Sequence, residues 1–276
     1  MTSRAPGRAN AARGFSLDGA TCLVTGANRG IGAALVRRLA QRPARVLAGM
    51  RDPSTATSPA DGGRALEIRP VLMDLSSAAT IEASCAALGD DLDRVDVLIN
   101  NAGRLTSGLF EEQDVSDVYA MFQANLVGLV HLTRRVLPGM LSRGRGVIVD
   151  NTSISAFAHL PTATTYAASK AGVAAFTEAL RRELAGTGVT CMTLITPAVE
   201  TDMLRETDAG SGRYVDTSGW SRISADVWAE RVVSGIERGR RTVEGTGRVR
   251  ALRVLSQGPP QLVDLIAARM FKRPGA

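Results

Sequence analysis

Histidine and cysteine are both scarce in this chain, and each scarcity removes a class of chemistry. Only His131 and His159 are present, too few and wrongly spaced for a histidine-built metal site, so no metal is expected. The cysteines are Cys22, Cys85 and Cys191; their odd number and wide separation argue against a disulfide frame or a Cys-x-x-Cys zinc site. They read as reduced thiols packed in a cytoplasmic core. No apolar run approaches the roughly 18 residues that span a bilayer. The start of the chain lacks the apolar stretch of a secretory signal. Without that signal the glycosylation-type triplet Asn151-Thr152-Ser153 carries no weight.

Charge is present but unevenly spread. The 276 residues carry 33 basic and 27 acidic side chains, a net charge of +6. Residues 1–16 are +3, residues 231–276 are +7, and the stretch between them is −4. A nucleic-acid-binding fold needs its basic patch on the folded body, so no nucleic-acid partner is expected. With 45% hydrophobic residues the chain can bury a large core.

The dominant pattern is a short β-rich run followed by an amphipathic stretch. Strands are expected at Thr21–Thr25, Arg45–Met50, Pro70–Met73, Val95–Ile99, Gly146–Val149 and Val189–Ile195. Helices are expected at Ile31–Ala40, Val115–Leu141 and Thr164–Leu184. In the first, Ile31, Leu35 and Leu39 share a face. In the second, Val118, Phe122, Leu126, Leu129 and Val136 do. Alternating strands and helices imply right-handed crossovers and a single-domain α/β fold, a doubly wound parallel sheet with helices on both faces. Ligands bind such sheets beyond the carboxyl ends of the strands. The reading divides the chain into a flexible basic tail (1–16), a body (17–245) with a lid at about 202–222, and a basic amphipathic extension (246–276).

The motifs fall at those strand ends. Thr25-Gly26-Ala27-Asn28-Arg29-Gly30-Ile31-Gly32 places three glycines between a strand and a helix. Such a turn lets the backbone approach a ligand while the helix amino end faces it, which suits a pyrophosphate. Arg51 follows strand two, where an arginine pairs with a 2′-phosphate and an acid with a 2′-hydroxyl. Arg29 can reach the same phosphate. Asp52 is the contrary signal. NADP(H) is therefore favoured and NAD(H) is the alternative.

Tyr166-Ala-Ala-Ser-Lys170 is the most specific feature. With three tyrosines and two lysines in the chain, a chance Tyr-x-x-x-Lys is expected about 0.02 times. Spacing of four puts both side chains on one helix face. A neighbouring ammonium should lower the phenol from its ordinary value near 10. Tyr166 then reads as a general acid–base. Ser153, thirteen residues earlier and expected just after strand five, can border the same cleft. It lacks the base and elbow a nucleophile needs, so triad hydrolysis is disfavoured.

Together with Asp74-Leu75, Asn100-Asn101-Ala102-Gly103, Asn125 in Asn-Leu-Val-Gly, and Pro197-Ala-Val-Glu-Thr201, these motifs resemble the short-chain dehydrogenase/reductase family over roughly residues 17–240. The resemblance implies a Rossmann-like fold that moves hydride between NADP(H) and a carbonyl or secondary alcohol. It implies that Thr25, Gly26, Asn28, Arg29, Gly30, Ile31, Gly32 and Arg51 hold the cofactor. Asp74 and Leu75 would then meet the adenine, with Asn101, Ala102 and Gly103 on its wall. Pro197, Val199 and Thr201 would border the nicotinamide, and Lys170 would grip its ribose beside Tyr166. The implied catalytic set is Asn125, Ser153, Tyr166 and Lys170, Asn125 positioning a relay water.

Two departures stand out. Ala198 replaces the usual glycine after proline. Many members end in a seventh strand leading to Asp-Gly-Gly, whereas this chain continues through Arg248 to Arg273. There Leu262, Ile266 and Met270 recur at helical spacing, flanked by Arg269, Lys272 and Arg273. That segment is expected to cover the substrate side or a partner subunit, and an acidic membrane surface is the less favoured competitor. A homo-oligomer, dimer first, is the expected assembly. Rival readings are an NAD-linked alcohol dehydrogenase working oxidatively and a non-catalytic NADP(H) sensor.

Overall fold

A computed structural model describes residues 14–56, 63–205, 214–215, 220–245, 247–271 and 273. Of the tail and the lid, 1–13, 206–213 and 216–219 lie outside the described residues, as do the side chains of Leu262, Ile266, Arg269, Met270 and Lys272.

The body is a seven-stranded parallel sheet in the order β3-β2-β1-β4-β5-β6-β9. Its strands are β1 (Thr21–Thr25), β2 (Arg45–Met50), β3 (Glu67–Leu72), β4 (Val97–Asn100), β5 (Gly146–Ser153), β6 (Val189–Thr196) and β9 (Thr242–Glu244). All of β1, β4 and β5 is buried, as strands covered on both faces must be. Pro70 sits in β3, the edge strand, where its missing N–H breaks no inner ladder. A short parallel pair, β7 (Ala198–Glu200) and β8 (Arg222–Ser224), stands apart from the main sheet.

One face is covered by α1 (Gly30–Leu39) and α8 (Ala225–Glu237), which bury Leu35, Leu39, Trp228, Val232 and Ile236 together. The other carries α2 (Ala78–Leu88), α3 (Asp90–Asp93), α4 (Val115–Phe122), α5 (Gly128–Arg143) and α7 (Thr164–Glu183). There Ile81, Cys85, Leu132, Val136 and Leu180 pack on Leu98 and Ile148. A short α6 (Ser155–Ala158) follows β5, and α9 (Gly247–Leu255) and α10 (Pro260–Met270) close the chain. Among the described residues no helix is long and apolar enough to cross a membrane.

The structure corrects the sequence reading: strand three is Glu67–Leu72 rather than Pro70–Met73, and strand four is Val97–Asn100 rather than Val95–Ile99. The single helix expected at 115–141 is broken by a π turn at Gln123–Val127, a device that recurs at functional sites. Strand five runs on through Ser153 rather than stopping before it, because Ser153 still pairs with Thr196. A seventh strand is present after all: β9, three residues long, pairs parallel with β6.

Candidate active site

The glycine turn is built by close approach. Gly26 has φ +65, and a Cβ there would lie 2.9 Å from the Ala102 Cα. A Cβ on Gly32 would fall 2.0 Å from the Gly26 carbonyl oxygen, and one on Gly30 3.2 Å from the Thr201 Cγ2. Arg29 is the extended residue preceding α1, and no side chain caps the helix. No acid occupies its first turn. The leading N–H groups and the positive end of the helix dipole are thus left to an anion.

Four strand ends are stitched together behind that turn. The Thr25 hydroxyl accepts from the backbone N–H of Asn101 at 3.0 Å and of Ala102 at 2.9 Å. Asn101 Nδ2 donates to the Thr25 carbonyl at 2.9 Å, and its Oδ1 accepts from Asn151 Nδ2 at 3.2 Å. Thr196 Oγ1 donates in turn to Asn151 Oδ1. This polar belt ties β1, β4, β5 and β6 at their carboxyl edge. The Asn151 carbonyl accepts from Lys170 Nζ at 2.8 Å, so the belt also aims the buried ammonium.

Ser153, Tyr166 and Lys170 line one cleft with Arg29, Gly30, Ile31, Asn101, Ala102, Gly103, Pro197, Val199 and Thr201; its volume is about 390 Å³. Tyr166 is half-buried there, and Lys170 lies 5.9 Å from its ring centroid. The expectation of a lowered phenol fails. Burial pushes Tyr166 up to about 12, opposed only by the Ser153 hydroxyl. The ammonium points at Asn151 instead of the phenol oxygen, so burial wins. Burial also brings Lys170 down to about 8, against the supporting charge of Asp150.

Asp150 is a site residue that sequence reasoning missed. It is fully buried, accepting from Asn100 Nδ2 at 2.8 Å and from Thr177 Oγ1 at 2.9 Å. Burial raises its carboxyl to about 6, while those two donors and then Arg181 and Lys170 pull it down. Its only sequence signal was an acid directly after the apolar run Val147–Val149.

Asn125 lies wholly buried in the π turn behind the cleft. Its Oδ1 accepts from the Arg104 N–H at 2.8 Å, and its Nδ2 donates to the Arg104 carbonyl and to Ser169 Oγ. A Cβ on Gly103 would stand 3.1 Å from Asn125 Oδ1 and 3.7 Å from Lys170 Nζ. The glycine therefore leaves room between the amide and the ammonium.

Arg51, Asp74 and Leu75 lie outside this cleft, at the ends of β2 and β3. So do Thr25, Gly26, Asn28 and Gly32, which form the body of the turn. Asp52 accepts from the Ser54 N–H at 2.9 Å and from its hydroxyl at 2.6 Å, capping a short turn. Asp74 likewise holds the Ser76 N–H and hydroxyl. Leu75 is buried, its carbonyl accepting from Gln123 Nε2 at the π turn. Val199 is buried in β7, and the Thr201 methyl meets Gly30. The far end of the cleft, with Leu160, Val215, Trp220, Val249 and Leu252, carried no sequence signal beyond its loops and the extension.

A family model of short chain dehydrogenases matches residues 20–212. The ketoacyl reductase HetN of Nostoc sp. is 36% identical over 179 residues, 63% of this chain and 61% of that protein. The 3-oxoacyl-(acyl-carrier-protein) reductase FabG of Vibrio cholerae is 34% identical over 199 residues, 69% of this chain and 78% of its own. A short chain dehydrogenase from Burkholderia cenocepacia, solved with NADP, superposes with a TM-score of 0.77 at 25% identity, covering 94% of this chain and 100% of that one. One from Sphingobium yanoikuyae, solved with NADPH, gives 0.73 at 25% identity, covering 93% and 98%. The sheet order, the glycine turn and the Tyr166–Lys170 pair have the same explanation as these matches: the chain belongs to the short chain dehydrogenase family.

Proposed function

We propose that the chain is an NADP(H)-dependent oxidoreductase interconverting a carbonyl compound and its alcohol. The observation that carries this is the cleft that gathers Ser153, Tyr166 and Lys170 opposite the glycine turn. The turn residues Thr25, Gly26, Asn28, Arg29, Gly30, Ile31 and Gly32 suit the pyrophosphate, and Pro197, Val199 and Thr201 the nicotinamide. Asp74, Leu75 and Asn101 to Gly103 flank the adenine side. Arg51, exposed after β2, suits a 2′-phosphate, and the rival Asp52 already accepts two bonds from Ser54. The two solved relatives bound to NADP and NADPH support that choice.

Bound NADP(H) supplies the hydride at its nicotinamide. Tyr166 donates its phenolic proton to the carbonyl oxygen, and the Ser153 hydroxyl hydrogen-bonds the same oxygen. The Lys170 ammonium, 5.9 Å from the Tyr166 ring, supplies positive charge to the site, and Asn125 behind the cleft is assigned the placing of a relay water. NADPH oxidation against a panel of carbonyls tests the reading. Tight NADPH binding with no turnover of any carbonyl or alcohol would instead favour a sensor.

Arg51→Asp should weaken NADPH binding by roughly tenfold to a hundredfold and move preference toward NADH, since a carboxylate repels the 2′-phosphate. Titration of both cofactors reads this directly. An unchanged ratio assigns the phosphate elsewhere.

A pH profile probes the buried acid. Folding raises Asp150 from 3.8 to about 6, so the native state binds the extra proton and stability falls as pH climbs through that range. Folding lowers Lys170 from 10.5 to about 8, so its burial cost is felt below 8 and relieved as pH rises toward 10.5. Asp150→Asn removes the charge that supports the ammonium. The alkaline fall in kcat for carbonyl reduction should then begin at lower pH than in the parent chain.

A further inference from the structure

The end of the cleft beyond Tyr166 differs in character from the glycine-turn end. Its apolar wall is Ile154, Leu160, Val215, Trp220, Val249 and Leu252, interrupted only by the hydroxyl residues Ser155, Thr162 and Ser221, and is drawn from the β5–α6 junction, the loop before α7, the lid region and α9. Charge is kept out of play. Arg104 is held by Asp117 at 2.7 Å, Asp202 by Arg205, and Lys170 by the Asn151 carbonyl. Arg29 stands at the opposite end, on the glycine turn.

The carboxyl-terminal segment is built to supply part of this wall. After β9, Gly245 runs so close to Pro197 that a Cβ would lie 2.9 Å from the proline ring and 3.0 Å from Val249 Cγ2. That approach turns α9 back past Pro197 onto the cleft. Val249 and Leu252, three apart on α9, present one face to it. Glu244 pairs with Arg253 at 3.3 Å and Arg250 at 3.7 Å along the helix flank. Beyond α10, Phe271 bridges to Val215 and packs with Leu109, Tyr214 and Trp220. Arg273 pairs with Glu111. Phe271 is thereby fastened to the side of the cleft that Val215 and Trp220 form.

We propose that this site takes a ketone bearing a bulky hydrocarbon or aryl group, in preference to a polyhydroxylated or anionic carbonyl compound, and that α9 is the wall that selects it. The proposal rests on the oxidoreductase reading above and names its substrate class. An apolar substituent gains by leaving water against such a wall. A carboxylate or a run of hydroxyls would lose its hydration and find few described partners in return. The volume, shared with the nicotinamide end, fits a single small-molecule substituent rather than a macromolecule.

Steady-state NADPH oxidation by the full chain tests this. The panel is a series of methyl ketones of growing chain length, an aryl ketone, a ketohexose, acetoacetate, and the small diketone 2,3-butanedione, which needs no apolar wall. We expect kcat/KM to rise about threefold per added methylene until the cleft is full. The aryl ketone should exceed the ketohexose and acetoacetate by at least thirtyfold. In Leu252→Ser the KM for the aryl ketone should rise about tenfold and that margin should shrink, with NADPH affinity by fluorescence titration as the check on folding. Val249→Ala is the milder companion should Leu252→Ser fail that check. A preference for the ketohexose or acetoacetate overturns the substrate class while leaving the reductase reading intact. Unaltered aryl-ketone KM in both variants overturns the role of α9. Failure to oxidise NADPH with any member, the diketone included, overturns the oxidoreductase reading itself.

Discussion

Tyr166→Phe should fold, bind NADPH as the parent does, and lose about a thousandfold in kcat for carbonyl reduction. General acid catalysis contributes roughly 10² to 10⁴ in rate, and a thousandfold is about 4 kcal/mol of barrier. The substitution removes one hydroxyl and leaves the ring packed beside Lys170. A phenol raised to about 12 is fully protonated at neutral pH, the form needed to give a proton to a developing alkoxide. Alcohol oxidation needs the opposite form, so in the parent chain its rate should climb with pH while reduction stays flat near neutrality. Measuring both directions from pH 6 to 9 checks this. A variant with near-parental turnover would remove Tyr166 from the chemistry.

Gly32→Ala should have the second large effect, on stability and cofactor binding together. The added methyl would sit 2.0 Å from the Gly26 carbonyl oxygen and 2.8 Å from Asn101 Nδ2. The closer atom is backbone, and Asn101 Nδ2 is held by the Thr25 carbonyl, so the turn itself must move. Overpacking of this kind costs about 3 kcal/mol, or about 6–12 °C in Tm for a chain of this size. The displaced turn would also misdirect the N–H groups at the start of α1, and NADPH affinity should fall more than a hundredfold. Gly19→Ala separates the causes. Gly19 has φ +71 but open space around it, so only the left-handed backbone is penalised, at about 1–2 kcal/mol, with cofactor binding untouched. Equal losses in the two variants would mean that crowding in the turn is not the reason.

What could be read from the sequence follows from how local its physics is. The glycine turn and the Tyr166–Lys170 spacing are short-range patterns, and the structure brings both to one cleft. The parallel sheet was legible because its strands are short, apolar and separated by helical stretches. The helix α2 was missed because alanines around it blur the apolar stripe, although Ile81, Ser84, Cys85 and Leu88, its buried residues, recur at helical spacing. Its cap, Ser77 exchanging bonds with Thr80, was the available signal. For α8 the spacing of Trp228, Val232 and Ile236 after Ser224 would have sufficed. The π turn has no counterpart in apolar spacing. The direction of the Tyr166 shift depends on where the ammonium points, and that is set by Asn151 on β5, far from α7 in sequence pattern. Likewise the apolar end of the cleft joins residues from 154 to 252, a proximity only folding creates.

The three cysteines have a consequence for watching this molecule open. Cys22 lies in β1 within the core beneath α1 and α8, while Cys85 in α2 and Cys191 in β6 belong to the opposite core. Burial pushes the thiols of Cys22 and Cys191 up to about 12, and that of Cys85 also upward. A thiol-specific reagent meets almost no thiolate in the closed protein, so labelling waits on exposure. Each sulfur then serves as a clock for its own layer. Mass spectrometry of the labelled peptides would resolve whether the outer helix α2 frays ahead of the central strand, or the two layers part together.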